Sequence, residues 1–340
     1  MPDTDQELRN QTRLWELIWG CAASQAIHVA AELDIPELLQ ERPRTCDEIA
    51  SATSTDSWTL FGVLRVLTAC EILTIDSDDR YSLAELGKLL VKGSPTSHRG
   101  EATDFFETIW APLGSLMHAV RTGENAFEHA LGMTFFEYLS RNAEVGSFFN
   151  QLMVKNAPAR YTGLSSVYDF SNVRTVVDLG GGEGGLLLHL LREQEHLRAV
   201  LFDLPDVVAN ADVRFEAAGF TNRCKIVAGS FFDSVPAGGD VYILANVINN
   251  FNNDGARKML ANCRAAMNPA ARLLIVDALY PIGKPVLWWA LAGLGVLAQR
   301  GGRGRTEPQM RALLESARFC VCSVKAPGKD APGLVEAAPA

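Results

Sequence analysis

One stretch, residues 176–185, constrains the fold more than any other part of the chain. It reads Val-Val-Asp-Leu-Gly-Gly-Gly-Glu-Gly-Gly, and a leucine-rich segment follows from Leu186 to Leu191. An apolar β-branched run, a glycine cluster and a leucine-rich run predict a buried strand, a tight turn and a helix. Glycines allow positive φ and the close approach of a ligand, and the start of the helix offers unpaired N–H groups. In open α/β sheets, ligands bind at such a turn, outside the carboxyl ends of the strands.

Three kinds of nucleotide site contain a glycine-rich turn. A P-loop needs Gly-Lys-Ser/Thr, which does not follow here, so that kind of site is excluded. A dinucleotide fold needs Gly-x-Gly-x-x-Gly with an acid about twenty residues later, and Gly180, Gly182, Gly185 and Asp203 satisfy this spacing. An S-adenosylmethionine site also has an acid at the end of the first strand, as Asp178 is here. The remaining alternative is an ordinary turn without a ligand, which the two well-placed acids disfavour.

Composition and charge limit the number of domains and the class of partner. With 340 residues, 48% of them hydrophobic and 21% charged, the chain is long enough for about two globular domains. Its net charge of −9 argues against nucleic acid as the main partner. Seven scattered cysteines without a Cys-x-x-Cys motif indicate reduced thiols, so we expect a cytoplasmic protein without a secretory signal. No cluster with metal-ligand spacing is evident, so we expect no metal.

The longest apolar run, residues 286–298, is too short to cross a bilayer. We expect it to form a buried or pocket-lining helix, and we expect no membrane partner.

The first hundred residues predict a helical dimerisation unit. Apolar residues recur at helical spacing from Leu8 to Leu39, and we expect Pro36 to end that helix. Trp15 and Trp19 lie four residues apart and share a face, which we expect to pack against another subunit. This helix is the first part of a predicted dimerisation domain that covers residues 1–100.

Two helices and a hairpin follow, which together indicate a winged helix. A capping box at residues 45–48 precedes the first helix, the second runs from Ser57 to Cys70, and residues 72–83 read as a β-hairpin. A winged helix often binds DNA, but the first nine residues of the second helix contain one arginine and no basic face. We therefore expect dimerisation rather than DNA binding.

Residues 101–165 predict a separate helical segment that is rich in aromatic side chains. Most of these aromatics are expected to form core. We expect a subset, including Trp110, Phe149 and Met153, to line an apolar substrate pocket.

From residue 166 to residue 340 the sequence predicts an α/β domain, because strand patterns alternate with helix patterns. The predicted strands are residues 175–179, 199–203, 225–228, 241–245 and 273–277, with 320–324 and 334–337 closing the sheet. Helices are predicted near 207–218, 254–267 and 307–317.

Together these motifs resemble the dimeric small-molecule O-methyltransferases that use S-adenosylmethionine. The matching segments are residues 81–83, 121–124, 178–182, 202–205, 228–232, 235–238 and 301–303. The resemblance implies a mostly α, winged-helix dimerisation domain followed by a Rossmann-like class I methyltransferase domain. It also implies a homodimer that binds S-adenosylmethionine and a small-molecule substrate.

The resemblance implies a set of cofactor-binding residues. Asp178 closes the first strand, Gly180 and Gly182 approach the methionine and ribose portions, and Asp203 binds the ribose hydroxyls. The residues expected around the adenine are Leu204, Ser230, Phe231 and Phe232. The family usually has Asp where this chain has Ser230, and a serine hydroxyl is a weaker partner for an adenine amino group than a carboxylate.

The catalytic stretch departs from the family pattern. The family commonly reads Leu-His-Asp-Trp-Asp-Asp-Glu, whereas residues 248–254 read Ile-Asn-Asn-Phe-Asn-Asn-Asp. The position of the general-base histidine is Asn249, whose amide does not titrate near neutrality and cannot accept a phenol proton. Asp277 matches the family's first helper acid, but the position of the second is Gly304.

Three hypotheses follow. The first is a methyltransferase for a natural-product-like molecule that works by proximity and alignment, with Asn249, Asn250 and Asp277 orienting the acceptor. The second keeps the cofactor but catalyses a non-methylating reaction such as cyclisation, rearrangement, decarboxylation or hydroxylation. The third is a DNA-binding regulator, which the acidic balance and the uncharged helix disfavour.

Overall fold

The computed structural model describes residues 4–94, 96–103, 106–161, 163–277, 279–280, 283, 285–325 and 333–340. The chain divides into two compact units, Met1–Glu107 and Thr108–Ala340. Helices of the first unit are α1 (Thr4–Ile18), α2 (Gly20–Glu32), α3 (Ile35–Glu41), α4 (Cys46–Thr53), α5 (Ser57–Ala69) and α6 (Arg99–Ala102). Its strands, β1 (Leu73–Ile75) and β2 (Tyr81–Leu83), form an antiparallel hairpin, and a 3₁₀ turn follows at Gly87–Leu90.

The amino-terminal helix predicted over residues 8–39 is instead three helices, so that prediction is wrong. One break lies at Trp19 and the second at Leu33–Asp34, where Asp34 has a left-handed φ of 52° that ends α2. Pro36 does not end a helix. It lies in the first turn of α3, where a missing N–H costs nothing because that group has no helical partner anyway.

The winged-helix portion has the elements that the sequence predicts. The Thr45–Glu48 capping box begins α4, and the inward face of α5 buries Leu60, Leu64 and Leu67. The rings of Trp15 on α1 and of Trp19, at the break between α1 and α2, stack at 5.5 Å between centroids, and both side chains are more than half exposed. The amino-terminal unit thus has a small core and an uncovered apolar face on α1.

The second unit begins with short helices and continues into the sheet domain. The helices are α7 (Phe106–Gly114), α8 (Leu116–Thr122), α9 (Ala126–Leu131), α10 (Phe135–Arg141), α11 (Ala143–Tyr161), α12 (Leu164–Val167), α13 (Gly185–Glu193), α14 (Pro205–Val208), α15 (Ala211–Ala217), α16 (Asn253–Ala266), α17 (Leu287–Arg300) and α18 (Glu307–Ser316). Gly123 and Gly132 end α8 and α9 in left-handed conformation, as C-cap glycines commonly do.

The strands of the main sheet are β3 (Thr175–Leu179), β4 (Arg198–Asp203), β5 (Cys224–Ala228), β6 (Val241–Ala245), β7 (Arg272–Asp277), β10 (Phe319–Lys325) and β11 (Gly333–Pro339). Their order is β10-β11-β7-β6-β3-β4-β5. Strands β3 to β7 pair in parallel, while β11 is antiparallel to both β7 and β10. A separate short pair joins β8 (Leu279–Tyr280) to β9 (Arg305–Thr306). The strand reversal between β3 and β6 places a ligand crevice at the end of β3.

Successive side chains of each strand pack into two hydrophobic cores, one on each face of the sheet. Val176 and Ile243 pack with the leucines of α13 on one face, whereas Val177 and Leu244 pack with α16 and α18 on the other. This alternation follows from the period of two in a strand. Helices on both faces therefore hold the carboxyl ends of β3, β4 and β6 in fixed positions.

Two predictions for this unit need correction. The helix predicted at 207–218 is two helices, α14 and α15, separated at Ala209–Asn210, because asparagine favours a helix end over an interior. The 286–298 run does form a helix, but Leu287, Trp288 and Leu291 are each at least 60% exposed. Only Ala298 and Gln299 of α17 are buried, because this helix packs through its carboxyl end.

Candidate active site

The glycine turn after β3 has a backbone that requires glycine. Gly180, Gly182 and Gly184 have φ values of 71°, 60° and 85°, which side chains rarely tolerate. A Cβ at Gly180 would lie 2.8 Å from Cγ2 of Val247, whereas one at Gly182 would meet no atom within 4 Å. The turn is therefore packed on one side and open above Gly182, as the cradle of a ligand must be.

Asp203 ties the second strand to this turn. It is the last residue of β4, and its Oδ2 accepts the Gly182 N–H at 2.7 Å while its Oδ1 accepts the Leu204 N–H at 2.7 Å. Burial raises the pKa of Asp203, and the two backbone hydrogen bonds oppose that rise. Each carboxylate oxygen has a second lone pair, which gives the side chain the capacity to accept two ribose hydroxyls.

Asp178 is a buried acid that lacks a partner in the described part of the chain. The side chain is 1% exposed, and neither carboxylate oxygen has a hydrogen-bond partner there. A Cβ at Gly181 would lie 2.6 Å from Oδ2 of Asp178, so the carboxyl group rests directly under the turn. Burial, and then the charge of Asp203, raise the pKa of Asp178 to about 7. A buried acid of this kind fits a ligand that brings a cationic or N–H group, as S-adenosylmethionine does with its amino group.

Two of the residues predicted around the adenine, Phe231 and Phe232, belong to one aromatic cluster. The Phe231 and Phe232 rings meet edge to face at 4.9 Å, and a Cβ at Gly180 would lie 3.4 Å from Phe231. The Ser230 hydroxyl accepts the Phe232 N–H at 3.2 Å, which leaves its own proton for donation. Sequence reasoning missed Phe251, which packs against both phenylalanines, because it is distant in sequence.

Asn249 and Asp277 are in direct contact. The Asn249 backbone N–H donates to Oδ2 of Asp277 at 3.1 Å, and Asn249 Nδ2 donates to Oδ1 at 2.7 Å. Asp277 is 1% exposed and ends β7, while Asn249 lies in a 3₁₀ turn, Ile248–Asn250. The carboxylate fixes the amide orientation, since only the NH₂ group can face it. As a result Asn249 Oδ1 points away from Asp277, and it has no partner among the described residues.

Asn250 does not contact Asp277 in the same way as Asn249 but hydrogen-bonds to Asn246 and Arg300. Its Nδ2 donates to the Asn246 carbonyl at 3.0 Å, and its Oδ1 accepts from Arg300 Nη1 at 2.6 Å. The Arg300 guanidinium also lies over the rings of Phe135 and Phe149, at 4.7 and 5.2 Å from their centroids. Arg300, which sequence reasoning missed, thereby connects predicted pocket residue Phe149 to predicted catalytic residue Asn250.

The other two predicted pocket residues are half-buried. Met153 lies one helical turn after Phe149 on α11, and Trp110 lies on α7. Gln299, beside Arg300, donates to the carbonyl and hydroxyl oxygens of Thr108 at 3.1 and 3.0 Å. That contact joins the α7 segment containing Trp110 to the end of α17.

Arg305 is a buried clamp on the 248–250 turn that sequence reasoning also missed. It is 2% exposed and donates to the carbonyl oxygens of Ile248 and Phe251 at 3.0 Å and to Asn253 Oδ1 at 3.0 Å. Burial lowers the pKa of Arg305, and the charge of Asp277 opposes this. The only sequence signal is its place in the Gly-Gly-Arg-Gly-Arg stretch, which reads as a loop.

Gly304, where the resemblance implies an acid, lies against a tyrosine. A Cβ at this position would be 2.8 Å from Cε2 of Tyr280 and nearer still to Cζ and Cε1. The Tyr280 phenol of β8 therefore takes up the space beside position 304, and burial and the charge of Asp277 raise its pKa.

The described residues offer neither a metal-binding cluster nor a membrane-spanning helix. They contain no group of three or more histidine, cysteine or acidic side chains that could hold a metal ion. They also contain no helix that is long and apolar enough to cross a membrane.

The strand order, the glycine turn and the two strand-end acids define a class I, S-adenosylmethionine-dependent methyltransferase. Residues 113–320 match the family described as the O-methyltransferase domain, and residues 15–93 match the O-methyltransferase dimerisation domain. The chain belongs to this O-methyltransferase family.

Curated relatives cover nearly the whole chain. The phenazine O-methyltransferase PhzM of Lysobacter antibioticus is 33% identical over 96% of this chain and 95% of its own length. An 8-amino-8-demethylriboflavin N,N-dimethyltransferase of Streptomyces davaonensis is 31% identical over 98% and 97%. The aclacinomycin 10-hydroxylase RdmB of Streptomyces purpurascens is 30% identical over 96% and 88%.

Solved structures give the same result. The mitomycin 7-O-methyltransferase MmcR superposes with a TM-score of 0.90 at 31% identity, over 99% of this chain and all of that chain. An O-methyltransferase from neocarzinostatin biosynthesis, in complex with S-adenosyl-L-homocysteine and 1,4-dihydroxy-2-naphthoic acid, has a TM-score of 0.85 at 29% identity, over 94% and 96%.

Proposed function

We propose that this chain transfers a methyl group from S-adenosylmethionine to a small, natural-product-like acceptor by proximity and alignment, without a general-base histidine. The observation that carries the proposal is the Asn249–Asp277 pair. Asp277 accepts one hydrogen bond from the Asn249 side-chain amide and one from its backbone N–H, so that the side-chain oxygen Oδ1 faces away from Asp277. A fixed, buried acceptor atom of this kind can orient an N–H or O–H group of a substrate.

We assign the cofactor to the turn after β3. Bound S-adenosylmethionine supplies an electrophilic methyl group on a sulfonium. Asp203 would accept the ribose hydroxyls, Asp178 would face the methionine portion, and Gly180 and Gly182 would let the backbone approach. The adenine would be surrounded by Leu204, Ser230, Phe231 and Phe232. The two phenylalanines would supply the apolar faces of this site.

The proposed site contains no general-base histidine among the described residues, so the acceptor must lose its proton without help from Asn249. Asn249 accepts a hydrogen bond but cannot take up a proton near neutrality, so it aligns the nucleophile rather than ionising it. Loss of general-base help costs about 10²–10⁴-fold in rate for an acceptor that needs it. The site thus favours a neutral amine, which donates an N–H to Asn249 Oδ1 and loses a proton to water after transfer. It also suits an already ionised hydroxyl if the acceptor offers another N–H or O–H group to that oxygen.

We place the acceptor beside residues 101–165, with Trp110, Phe149 and Met153 as its apolar wall. Arg300 supports this placement because it contacts both Phe149 and Asn250. We also propose a homodimer assembled through residues 1–100, in keeping with the dimerisation-domain match. A cytoplasmic location stays a prediction from cysteine usage.

Methyl-labelled S-adenosylmethionine tests the proposal. Cofactor binding is measured first by calorimetry, and the protein is then incubated with phenolic and amine acceptors and with a small-molecule extract. Label in a new product, lost in an Asn249→Leu variant that still binds cofactor, is the expected result. Tight cofactor binding with an extract component consumed and no label transferred would overturn the methyl-transfer assignment in favour of a non-methylating reaction.

A further inference from the structure

Tyr280 is enclosed by two glycines from different segments. On one side, a Cβ at Gly304 would lie 2.8 Å from Cε2 of Tyr280 and nearer still to two other ring atoms. On the other side, a Cβ at Gly293 of α17 would lie 2.8 Å from Cζ and nearer still to the hydroxyl oxygen. Both glycines are therefore needed for the ring to sit where it does.

The same residue borders the segment that contacts the 248–250 turn, because its ladder partner Thr306 follows Arg305, which donates to the Ile248 carbonyl at 3.0 Å. Tyr280 lies three residues after Asp277 and pairs with Thr306 in the β8–β9 ladder. Burial and the charge of Asp277 both raise the pKa of Tyr280. Asp277 in turn holds Asn249 at 2.7 Å. Asp277 thus contacts the Asn249 amide directly, whereas it acts on the Tyr280 phenol through its charge.

We propose that Tyr280 is a specificity-determining residue of the methyl-transfer site, where its phenol occupies the volume that any side chain at position 304 would need. This inference rests on the proposed function, since it assigns a further residue to the same site. No carboxylate can enter from position 304 while the ring is there.

The chemical consequence concerns the acceptor. A phenol that stays protonated offers one O–H donor, whereas the Asn249 carbonyl offers an acceptor atom. Tyr280 would donate to an electronegative atom of the substrate, such as an ionised oxygen. The site then selects acceptors that carry such an atom near the nucleophile, and it discriminates against neutral hydroxyls that need a second carboxylate.

The packing claim is tested without a substrate. Gly304→Ala should lower the melting temperature by roughly 3 °C or more, and Gly293→Ala should do the same. The matched control is Gly295→Ala on the same helix, where a Cβ meets nothing within 4 Å; it should leave the melting temperature unchanged or raise it. In a Tyr280→Ala background the penalty of Gly304→Ala should disappear. Equal penalties in both backgrounds would overturn the packing claim.

The functional claim is tested with Tyr280→Phe, which keeps the ring and removes the hydroxyl. We expect an unchanged melting temperature and an unchanged cofactor dissociation constant. For an acceptor labelled by the wild type, kcat/KM should fall about tenfold, the effect of one lost hydrogen bond. Wild-type kcat/KM in this variant would refute the role of Tyr280, whereas absence of label with the wild type itself would instead refute the proposed function.

Discussion

Replacing Asp178 with asparagine should make the cofactor-free protein more resistant to unfolding at high pH. Asparagine has nearly the same shape as aspartate but cannot ionise. In the folded protein Asp178 is 1% exposed and, among the described residues, without a hydrogen-bond partner, and its pKa rises from 3.8 to about 7. Its negative charge is thus a cost to the folded state until a ligand compensates for it.

The sign and size of the effect follow from these two pKa values. Because the folded state binds the proton more tightly than the unfolded chain, the free energy of unfolding falls as pH rises between them. The full difference corresponds to about 4 kcal/mol, of which about 2.5 kcal/mol falls between pH 5 and pH 8. Asparagine has a constant cost for burying its amide, which does not change with pH.

The assay is urea unfolding of both proteins without cofactor at pH 5 and at pH 8. The free energy of unfolding of Asp178→Asn, relative to wild type, should rise by about 2.5 kcal/mol from the lower to the higher pH. The same variant should bind S-adenosylmethionine more weakly by about tenfold or more, since a charged hydrogen bond is lost. A pH-independent difference between the two proteins would refute the assignment of a buried, destabilising charge.

Three further results are expected. Asn249→Leu should reduce label transfer about tenfold or more while calorimetric cofactor affinity is retained, because only acceptor alignment is lost; equal transfer would contradict that role. Asp203→Asn should weaken cofactor binding about tenfold or more, since a carboxylate accepts hydroxyls better than an amide, and unchanged affinity would exclude it from the ribose site. Arg305→Met should lower the free energy of unfolding in urea by about 3 kcal/mol because buried carbonyls lose their donor. The exposed neighbour gives the control, Arg303→Met, which should change it by less than about 0.5 kcal/mol, and equal effects would disprove the clamp.

Local patterns predicted the sheet and the glycine turn after β3 well. Buried β-branched runs bounded by polar residues identified all seven strands of the main sheet, with ends displaced by at most two residues from those found. Asp178 and Asp203 were each predicted to close a strand, and both lie at the carboxyl ends of adjacent parallel strands. The structure places Asp203 in hydrogen-bond contact with the turn that Asp178 precedes.

Contacts between distant segments were not predictable in this way. Arg300 and Arg305 reach the 248–250 turn, and Gly293 and Gly304 meet Tyr280, from segments that no periodicity connects. The helix breaks at Trp19 and Asp34 were missed for a related reason, since an amphipathic stripe continues across a short interruption. Spacing reports which face a residue occupies, but not which remote residue that face meets.

The position of β11 sets the order in which the sheet can be completed during synthesis. β11 lies between β7 and β10, although it is made after both of them. Until β11 leaves the ribosome, β7 has an unpaired edge and β10 has no neighbour to join. A nascent chain stalled before residue 333 would therefore expose an apolar strand edge, which is a common site of aggregation.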